Sequence, residues 1–348
     1  MKEFNEEAAT GQFPSNIIGV ACIATGRDGG TWAYVDESGN AIMPSASYFN
    51  DHPVFGGIRD MIVDGQDMVK IPKFYTKRAP VCGGVNNGKE AWWISDQLID
   101  GFTIHPAFRS GGSDIDQIYV GKYQASSDGS KMQSIPGVIP GVSKSLTTFQ
   151  GEAAARNTGD VTGFMLWSAY HWSAIQWLYL VENATMNCQA KTGAGRVNRW
   201  SVANVDASDV AQATYRGIVG LWGNVWQWMD GFKTIKGVIN LWDRDGNKEW
   251  VSTEQMPAAL NEVIYPVTFL SAKDARYDFG DLFVAATSTN SIDEATAPAL
   301  QYFGKSREYF PYVGGYWSDG VVAGLWFVIC YGDASNASTY LGARLAKV

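Results

Sequence analysis

The stretch 314-GGYWSDGVVAGLWFVICYGDASNASTYLGARL-345 decides how this chain is interpreted. It is rich in aromatic and small residues and nearly free of charge. If residues 325–331 form a strand, the even-numbered side chains share one face and the odd-numbered side chains share the other. We expect the face with Trp326 to pack on the core. The face with Phe327 would then present large apolar side chains to solvent, as a binding surface does.

The composition of the 348-residue chain narrows the functional classes. Charged residues make up 18% of it and its net charge is −8, which argues against binding to nucleic acid or to an anionic membrane surface. Hydrophobic residues make up 46%, enough for a sizeable core. The 14 Trp, 16 Tyr, 16 Phe and 38 Gly indicate a loop-rich fold that contains strands and has an aromatic surface.

The cysteines and the N-terminal sequence indicate where the chain is made. Cys22, Cys82, Cys188 and Cys330 lie far apart and form no C-x-x-C motif. We expect them to be free and mostly buried. The first residues, MKEFNEEAATGQF, lack the apolar region of a signal peptide, and no run of 18 apolar residues could span a membrane. These features predict synthesis in a cytoplasm and no membrane insertion.

Local patterns predict two parts of the chain. Residues 1–50 combine a polar tail with short strands and a turn at Ser38–Asn40, and form either an appendage or an attachment or oligomerisation module. From residue 51 onward, Met68–Arg78 is predicted as a strand. A first helix is predicted at 148–156, with Thr147 or Thr148 as its N-cap. A longer one at 168–183 has apolar residues at near-helical spacing.

No pattern identifies a catalytic or metal site. The three histidines, His52, His105 and His171, lie at no metal-ligand spacing. The segment from Asp243 to Asn247 is similar to the start of a calcium loop but lacks the glycine at position six, so a hairpin turn explains it more simply. We therefore expect no metal ligand and no cofactor.

The segment 223-GNVWQW-228 resembles the GNVWEW motif of formylglycine-generating-enzyme-like domains, a branch of the C-type lectin fold. The resemblance implies an α+β fold in which two helices flank a small twisted sheet, and the two predicted helices fall at matching places. The enzymes of that branch use cysteines or a histidine-based iron site. This chain has one cysteine near the motif and no histidine after His171, so we expect no enzymatic activity.

The C-terminal stretch is more similar to variable proteins of diversity-generating retroelements. Their end reads G-G-x-W-x-x-G-x-x-A-G-L and later I/L-G-x-R, and upstream segments such as VKIPKFYTKR are similar to phage-encoded members. The resemblance covers residues 51–348, the predicted binding domain. The matching landmarks are Gly314, Gly315, Trp317, Gly320, Ala323, Gly324, Leu325, Leu341, Gly342 and Arg344.

The residue types near the C-terminus agree with this resemblance. In that family, adenines of a template are randomised, typically in Asn codons, which cannot become Trp, Met, Lys, Gln or Glu. From Tyr309 to Ala346 there is no Met, Lys, Gln or Glu, and the Trp residues there, Trp317 and Trp326, occupy expected scaffold positions. We expect a variable region at about 309–346.

The resemblance implies a ligand-binding protein. The interpretation that it favours is a phage tail protein that determines host tropism by recognising a bacterial cell-surface protein or glycan. It would act in the virion, at the tail tip or fibre, beside other tail proteins, and a homotrimer is one assembly that suits it. The alternatives are an enzyme of the formylglycine-generating type and a virion structural protein without a receptor role.

Two sets of residues are predicted for this binding domain. The variable, ligand-facing positions are Tyr316, Ser318, Asp319, Val322, Phe327, Ile329, Tyr331, Asn336, Ser338 and Tyr340. The core scaffold comprises Trp222, Trp226, Trp228, Trp317 and Trp326.

Overall fold

The computed structural model describes residues 16–26 and 28–348, and this part of the chain is mostly sheet with few helices. That architecture is compatible with the predicted C-type-lectin-like fold. The predicted polar tail at 1–15, and any attachment role it has, lie outside the described residues. The helices are α1 Tyr48–Asp51, α2 Leu146–Ala154, α3 Ala169–Asn183 and α4 Cys188–Lys191.

Most strands are short and pair antiparallel. Strands β1 to β12 precede α2 and are Ile17–Ala24, Thr31–Val35, Arg59–Val63, Gln66–Pro72, Tyr75–Pro80, Glu90–Ser95, Thr103–Ile104, Arg109–Ser110, Ser113–Asp114, Gln117–Gly121, Ser126–Ser127 and Met132–Gln133. Strands β13 to β24 follow it and are Phe164–Leu166, Trp226–Trp228, Phe232–Ile235, Val238–Trp242, Trp250–Ser252, Tyr265–Phe269, Ala285–Thr289, Gln301–Phe303, Glu308–Gly314, Gly324–Gly332, Leu341–Gly342 and Leu345–Lys347.

Helix α3 is the central helix, and its predicted position at 168–183 is confirmed. It begins with a capping box in which the Ser168 hydroxyl accepts from the His171 backbone N–H and the His171 ring accepts from the Ser168 backbone N–H. All its side chains from Ala169 to Val181 are buried, as expected of a helix inside the core. The N-cap predicted for α2 is wrong: Ser145 caps it by accepting from the Thr148 N–H.

The first sheet has the order β2-β1-β6-β5-β7. Strands from before residue 50 therefore pair with strands from after it, and the predicted boundary cuts through this sheet. The predicted strand Met68–Arg78 is in fact two strands, β4 and β5, which belong to different sheets. The chain turns between them after Pro72, which has no N–H with which to continue a ladder.

Two further sheets contain most of the strands that follow α2. One has the order β13-β24-β10-β4-β3, so the last strand lies inside it. In the other, β21 pairs with β14 and β15 on one edge and with β22 on the opposite edge, and β20 pairs with β22 in parallel. Helix α3 packs on β22, where the Gln176 Nε2 donates to the Leu325 carbonyl at 2.6 Å.

The segment from Asp243 to Asn247 is a turn between β16 and β17, which confirms the hairpin prediction. The Asp243 carboxylate accepts from the backbone N–H groups of Asn247 and Glu249, so its oxygens are engaged by the turn itself. Within residues 16–26 and 28–348, no helix has the length and apolar character needed to cross a bilayer.

Candidate functional site

The 223–228 motif and Arg344 form one buried polar network beneath the C-terminal segment. Arg344 is fully buried and donates to the carbonyls of Gly121, Lys122, Val219 and Gly220 and to the Gln227 side chain, at 2.8–3.1 Å. The Gln227 amide in turn donates to the Gly220 carbonyl. Burial lowers the pKa of Arg344 to about 9. The two sequence landmarks are therefore joined in space and hold the backbone.

Asn224 fixes a second loop beside this network. Its backbone is left-handed, with φ 64°, a conformation that Asn tolerates better than most residues. Its buried side chain donates to the Gln124 side chain and to the Ala203 carbonyl, and accepts from the Ala203 N–H. The loop at 196–205 is thus tied to the same motif.

The loop that carries the first predicted variable positions is held mainly through its backbone. The Trp317 N–H donates to the Asn224 carbonyl at 3.2 Å, and the Trp317 carbonyl accepts from the Arg199 N–H at 2.7 Å. The Gly320 N–H donates to the Val197 carbonyl at 2.9 Å. The Gln189 side chain donates to the Gly320 carbonyl at 2.9 Å. None of these four bonds uses a side chain of residues 316–322, although the Asp319 carboxylate also helps to hold this loop.

The segment after β22 is held in the same way. The Ser338 carbonyl accepts from the Ser143 N–H at 2.8 Å and the Ala334 carbonyl accepts from the Leu146 N–H at 3.1 Å. The Tyr340 carbonyl accepts from the Trp226 N–H at 2.9 Å. These main-chain contacts fix the course of 334–340 against the start of α2 and against β14.

A cluster of aromatic rings lies between the two loops, with Trp226 at its centre. The Trp226 ring stacks on Tyr312 at a centroid distance of 4.8 Å and contacts Tyr316 at 4.7 Å and Tyr340 at 5.2 Å. Tyr316 and Tyr340 also contact each other at 5.0 Å. Two predicted variable tyrosines from opposite ends of the segment therefore meet over one tryptophan. All of these side chains except that of buried Tyr312 are part-exposed.

Asp319 is directed into this cluster rather than to solvent. Its Oδ2 accepts from the Trp226 Nε1 at 2.6 Å and from the Tyr316 N–H at 2.9 Å. Burial raises the pKa of Asp319 to about 6, while the two bonds it accepts lower it in part. The side chain therefore positions the loop, a role beyond the ligand contact predicted for it.

The predicted face of β22 is exposed only at its C-terminal end. Phe327 is completely buried, so its placement at the surface was wrong. Trp226 lies over it at 6.3 Å, nearly parallel. Ile329 is half-buried and Tyr331 is 51% exposed, so exposure increases along the strand.

A second aromatic group surrounds Tyr331 and was missed from the sequence. Tyr331 stacks on Tyr309 at 4.9 Å and meets Tyr302 edge-on at 5.5 Å. Tyr302 is on β20, opposite Ile329 in the register. The Arg307 guanidinium lies 5.4 Å from the Tyr309 ring. The antiparallel pairing of β21 with β22 brings Tyr309 to this group, and the parallel pairing of β20 with β22 brings Tyr302, which no local pattern reveals.

The remaining predicted variable positions lie on the loops. Ser318 and Asn336 are exposed and Ser338 is half-buried. Val322 is half-buried and packs on the core, whereas its neighbour Val321, which was not predicted, is 67% exposed.

Three of the five predicted scaffold tryptophans are buried. Trp222, Trp228 and Trp326 are inaccessible to solvent. Trp226 and Trp317 are part-exposed, so their placement in the core was wrong. Both lie where the aromatic cluster meets solvent, and they form a fixed part of the candidate surface.

The two cysteines nearest in sequence to the 223–228 motif lie in surroundings that keep their thiols protonated. Cys188 and Cys330 are buried and unpaired, and burial raises the pKa of both thiols to about 12. A reactive cysteine needs the opposite shift. Among the described residues, no three His, Cys, Asp or Glu side chains are grouped to hold a metal.

Comparisons with known proteins give only remote similarities. No protein-family profile matches the chain, and neither does any curated protein. Among solved structures, Treponema denticola variable protein 1 aligns with 83% of this chain and 98% of its own at 10% identity and a TM-score of 0.35. PvdO from Pseudomonas aeruginosa aligns with 83% of this chain and 97% of its own, at 10% identity and a TM-score of 0.34. The M1 variant of the Major Tropism Determinant aligns with 96% of this chain and 72% of its own, at 12% identity and a TM-score of 0.35.

Proposed function

We propose that this chain is a ligand-binding variable protein with a C-type-lectin-like fold of the formylglycine-generating-enzyme subtype, and that it is not an enzyme. The observation that carries the proposal is the way the C-terminal segment is held. Loops 314–323 and 332–341 are fixed mainly by main-chain bonds, by Gln189 and by the Asp319 carboxylate, while exposed side chains such as Ser318 and Asn336 form none of these bonds. Apart from Asp319, such a segment can change its exposed side chains without losing its shape.

The proposed mechanism is recognition by surface complementarity. Tyrosine and tryptophan supply large contact areas with few rotatable bonds, and serine and asparagine add adaptable hydrogen bonds. The Trp226 cluster and the Tyr331 group supply the first kind of contact, and the exposed loop residues supply the second. Since the backbone is fixed before binding, little conformational entropy is lost on association.

The sequence resemblance to phage-encoded variable proteins supports a proposal about the biological setting. We propose that the chain is part of a phage tail tip or fibre, contacts other tail proteins and recognises a bacterial cell-surface protein or glycan. A homotrimer would present several copies of the surface, and the copies would add avidity to a modest single-site affinity.

The proposal is tested by sequencing this gene in many isolates of the genetic element that encodes it. We expect substitutions at the exposed positions of 316–340 and invariance at Asn224, Gln227 and Arg344. A near-copy of the 3′ end next to a reverse transcriptase gene would support the same mechanism. Invariance at Tyr316, Ser318 and Tyr331 across the population would contradict it and would favour a structural virion protein.

A stability experiment tests the same reasoning on the purified full chain. We expect simultaneous replacement of Ser318, Tyr331 and Asn336 by alanine to change the free energy of unfolding by less than about 2 kcal/mol, since Tyr331→Ala accounts for about 1 kcal/mol or less and the two exposed loop substitutions for about 0.5 kcal/mol or less each. The control is Gln227→Ala, a single buried change in the supporting network. A larger loss from the three surface changes than from the control would refute the proposed separation of binding from folding.

A further inference from the structure

Trp200 is the most exposed aromatic side chain among the described residues, with 95% of its surface accessible. It lies outside the predicted variable region and at the tip of the loop 196–205. Burial of a large apolar side chain contributes about 1.5–3 kcal/mol, so the exposed Trp200 ring offers apolar area that a partner would gain by covering. Tryptophan is also among the residue types enriched in binding hot spots.

The loop that carries Trp200 is held in place on both sides. Arg196 and Arg199 both pair with the Asp209 carboxylate, at 2.7 and 3.1 Å, and Arg196 also donates to the Ser201 carbonyl at 2.9 Å. Further along, the Asn224 side chain bonds the backbone of Ala203. Trp200 therefore projects from a braced loop, and the loss of conformational entropy when a partner contacts it is small.

The same loop runs directly beside the predicted variable segment. Backbone bonds join Arg199 to Trp317 and Gly320 to Val197. A Cβ added at Gly320 would lie 3.3 Å from the Asn198 Oδ1, so the two loops are in near contact. Val321, on the adjoining turn, is 67% exposed. Trp200 and Val321 are thus two exposed apolar side chains on neighbouring loops.

We propose that Trp200 is a constant anchor of the ligand site, which contacts the partner whatever the variable side chains are. This inference rests on the proposed function and adds a contact from outside the diversified segment. Every member of a diversified population would keep this aromatic contact, and the variable positions would add specificity around it.

The chemistry of the two loops favours a protein as the partner over a charged polysaccharide. The charged side chains of loops 196–205 and 314–323 already have partners within the chain. Arg196 and Arg199 pair with Asp209, and Asp319 accepts a hydrogen bond from Trp226. What remains exposed is apolar and aromatic area. Protein interface cores have that composition, with tryptophan and tyrosine enriched and unpaired charge depleted.

The test uses two display libraries of the full chain, one with Trp200 and one with Trp200→Ser. Each is selected in parallel against lysozyme, as a protein probe, and against mannan, as a polysaccharide probe. Trp200→Ser removes no packed contact, so folding is unaffected. The control is Trp250→Ser, which changes a 38% exposed tryptophan on the edge strand β17, where its ring contacts Trp242 and Lys233. The positions randomised are Tyr316, Ser318, Tyr331, Asn336 and Tyr340.

We expect lysozyme binders from the library that retains Trp200, and we expect Trp200→Ser to weaken them by about tenfold or more, while Trp250→Ser changes affinity by less than about twofold. Equal recovery and affinity with and without Trp200 would overturn the anchor but leave the proposed function standing. Binders that need Trp200 for mannan but not for lysozyme would overturn the choice of a protein partner. No binder from either library on either probe would overturn the proposed function itself.

Discussion

Replacement of Arg344 by lysine measures how much the buried network contributes to the fold. Arg344 donates five hydrogen bonds, four of them to carbonyl oxygens and one to Gln227, and the guanidinium is fully buried. Lysine keeps the charge but has three donors on one nitrogen instead of five on a planar group. At least two of the five bonds are therefore lost.

The magnitude follows from the bonds removed. A hydrogen bond to a charged group contributes about 1.5–3 kcal/mol net, so losing two reduces the free energy of unfolding by about 3–6 kcal/mol. Unfolding entropy is about 2.1 cal/mol/K per residue, which for a chain of 348 residues corresponds to a fall in Tm of about 4–8 °C.

The assay is urea unfolding followed by tryptophan fluorescence, with calorimetry for Tm. Arg199→Lys is the matched control, since the Arg199 side chain is 50% exposed and its pair with Asp209 is expected to contribute less than about 1 kcal/mol. If Arg344→Lys destabilised the protein no more than Arg199→Lys does, the network would not be a support of the fold, and the reasoning would fail.

Three further predictions concern single side chains. The fold raises the pKa of Asp319 from 3.8 to about 6, so its titration stabilises the fold fully below about pH 4, and this stabilisation is lost as the pH rises through 6. Urea titrations should therefore show Asp319→Asn gaining stability relative to the wild type as the pH rises over that range. A difference in unfolding free energy between the two proteins that does not change with pH would contradict this. Phe327→Ala should cost about 3–5 kcal/mol in the same assay because the ring is fully buried, and Tyr331→Ala less than about 1 kcal/mol because half of its ring is exposed. Iodoacetamide at pH 8 should modify exposed Cys82 in the folded protein but leave buried Cys330, whose pKa is about 12, unmodified, as read by peptide mass spectrometry; rapid labelling of Cys330 would instead favour a reactive-cysteine enzyme.

The parts of the fold that were predictable are those that local sequence encodes. Helix α3 shows a helical apolar pattern, and Ser168 supplies its cap, so its position follows from the residues within it. The 223–228 motif and Arg344 were recognisable as landmarks. Their joint role was not, because the contact between Gln227 and Arg344 spans more than 100 residues and depends on how the sheets assemble.

The errors on β22 have a different cause. Alternation along a strand predicts two faces but not how far each face is covered. Here Trp226 covers the face at Phe327, and the cover ends before Tyr331. The same omission misplaced Trp226 itself, since a large aromatic residue in a strand motif is normally core. Tyr302 was missed because a parallel neighbour of β22 leaves no signal in the sequence of either strand.

The arrangement of contacts explains why fixed and changeable residues can be interleaved in one segment. Fixed side chains such as Gln189 reach the backbone of the segment rather than its side chains, so folding does not depend on the residues that a ligand meets. Asp319 is the exception, because its carboxylate holds both the Trp226 indole and the Tyr316 N–H. A replacement there must still accept a hydrogen bond, or the Trp226 indole N–H loses its partner. We therefore expect position 319 to vary among Asp, Asn and Ser rather than among apolar residues, a restriction that neither Ser318 nor Asn336 should share.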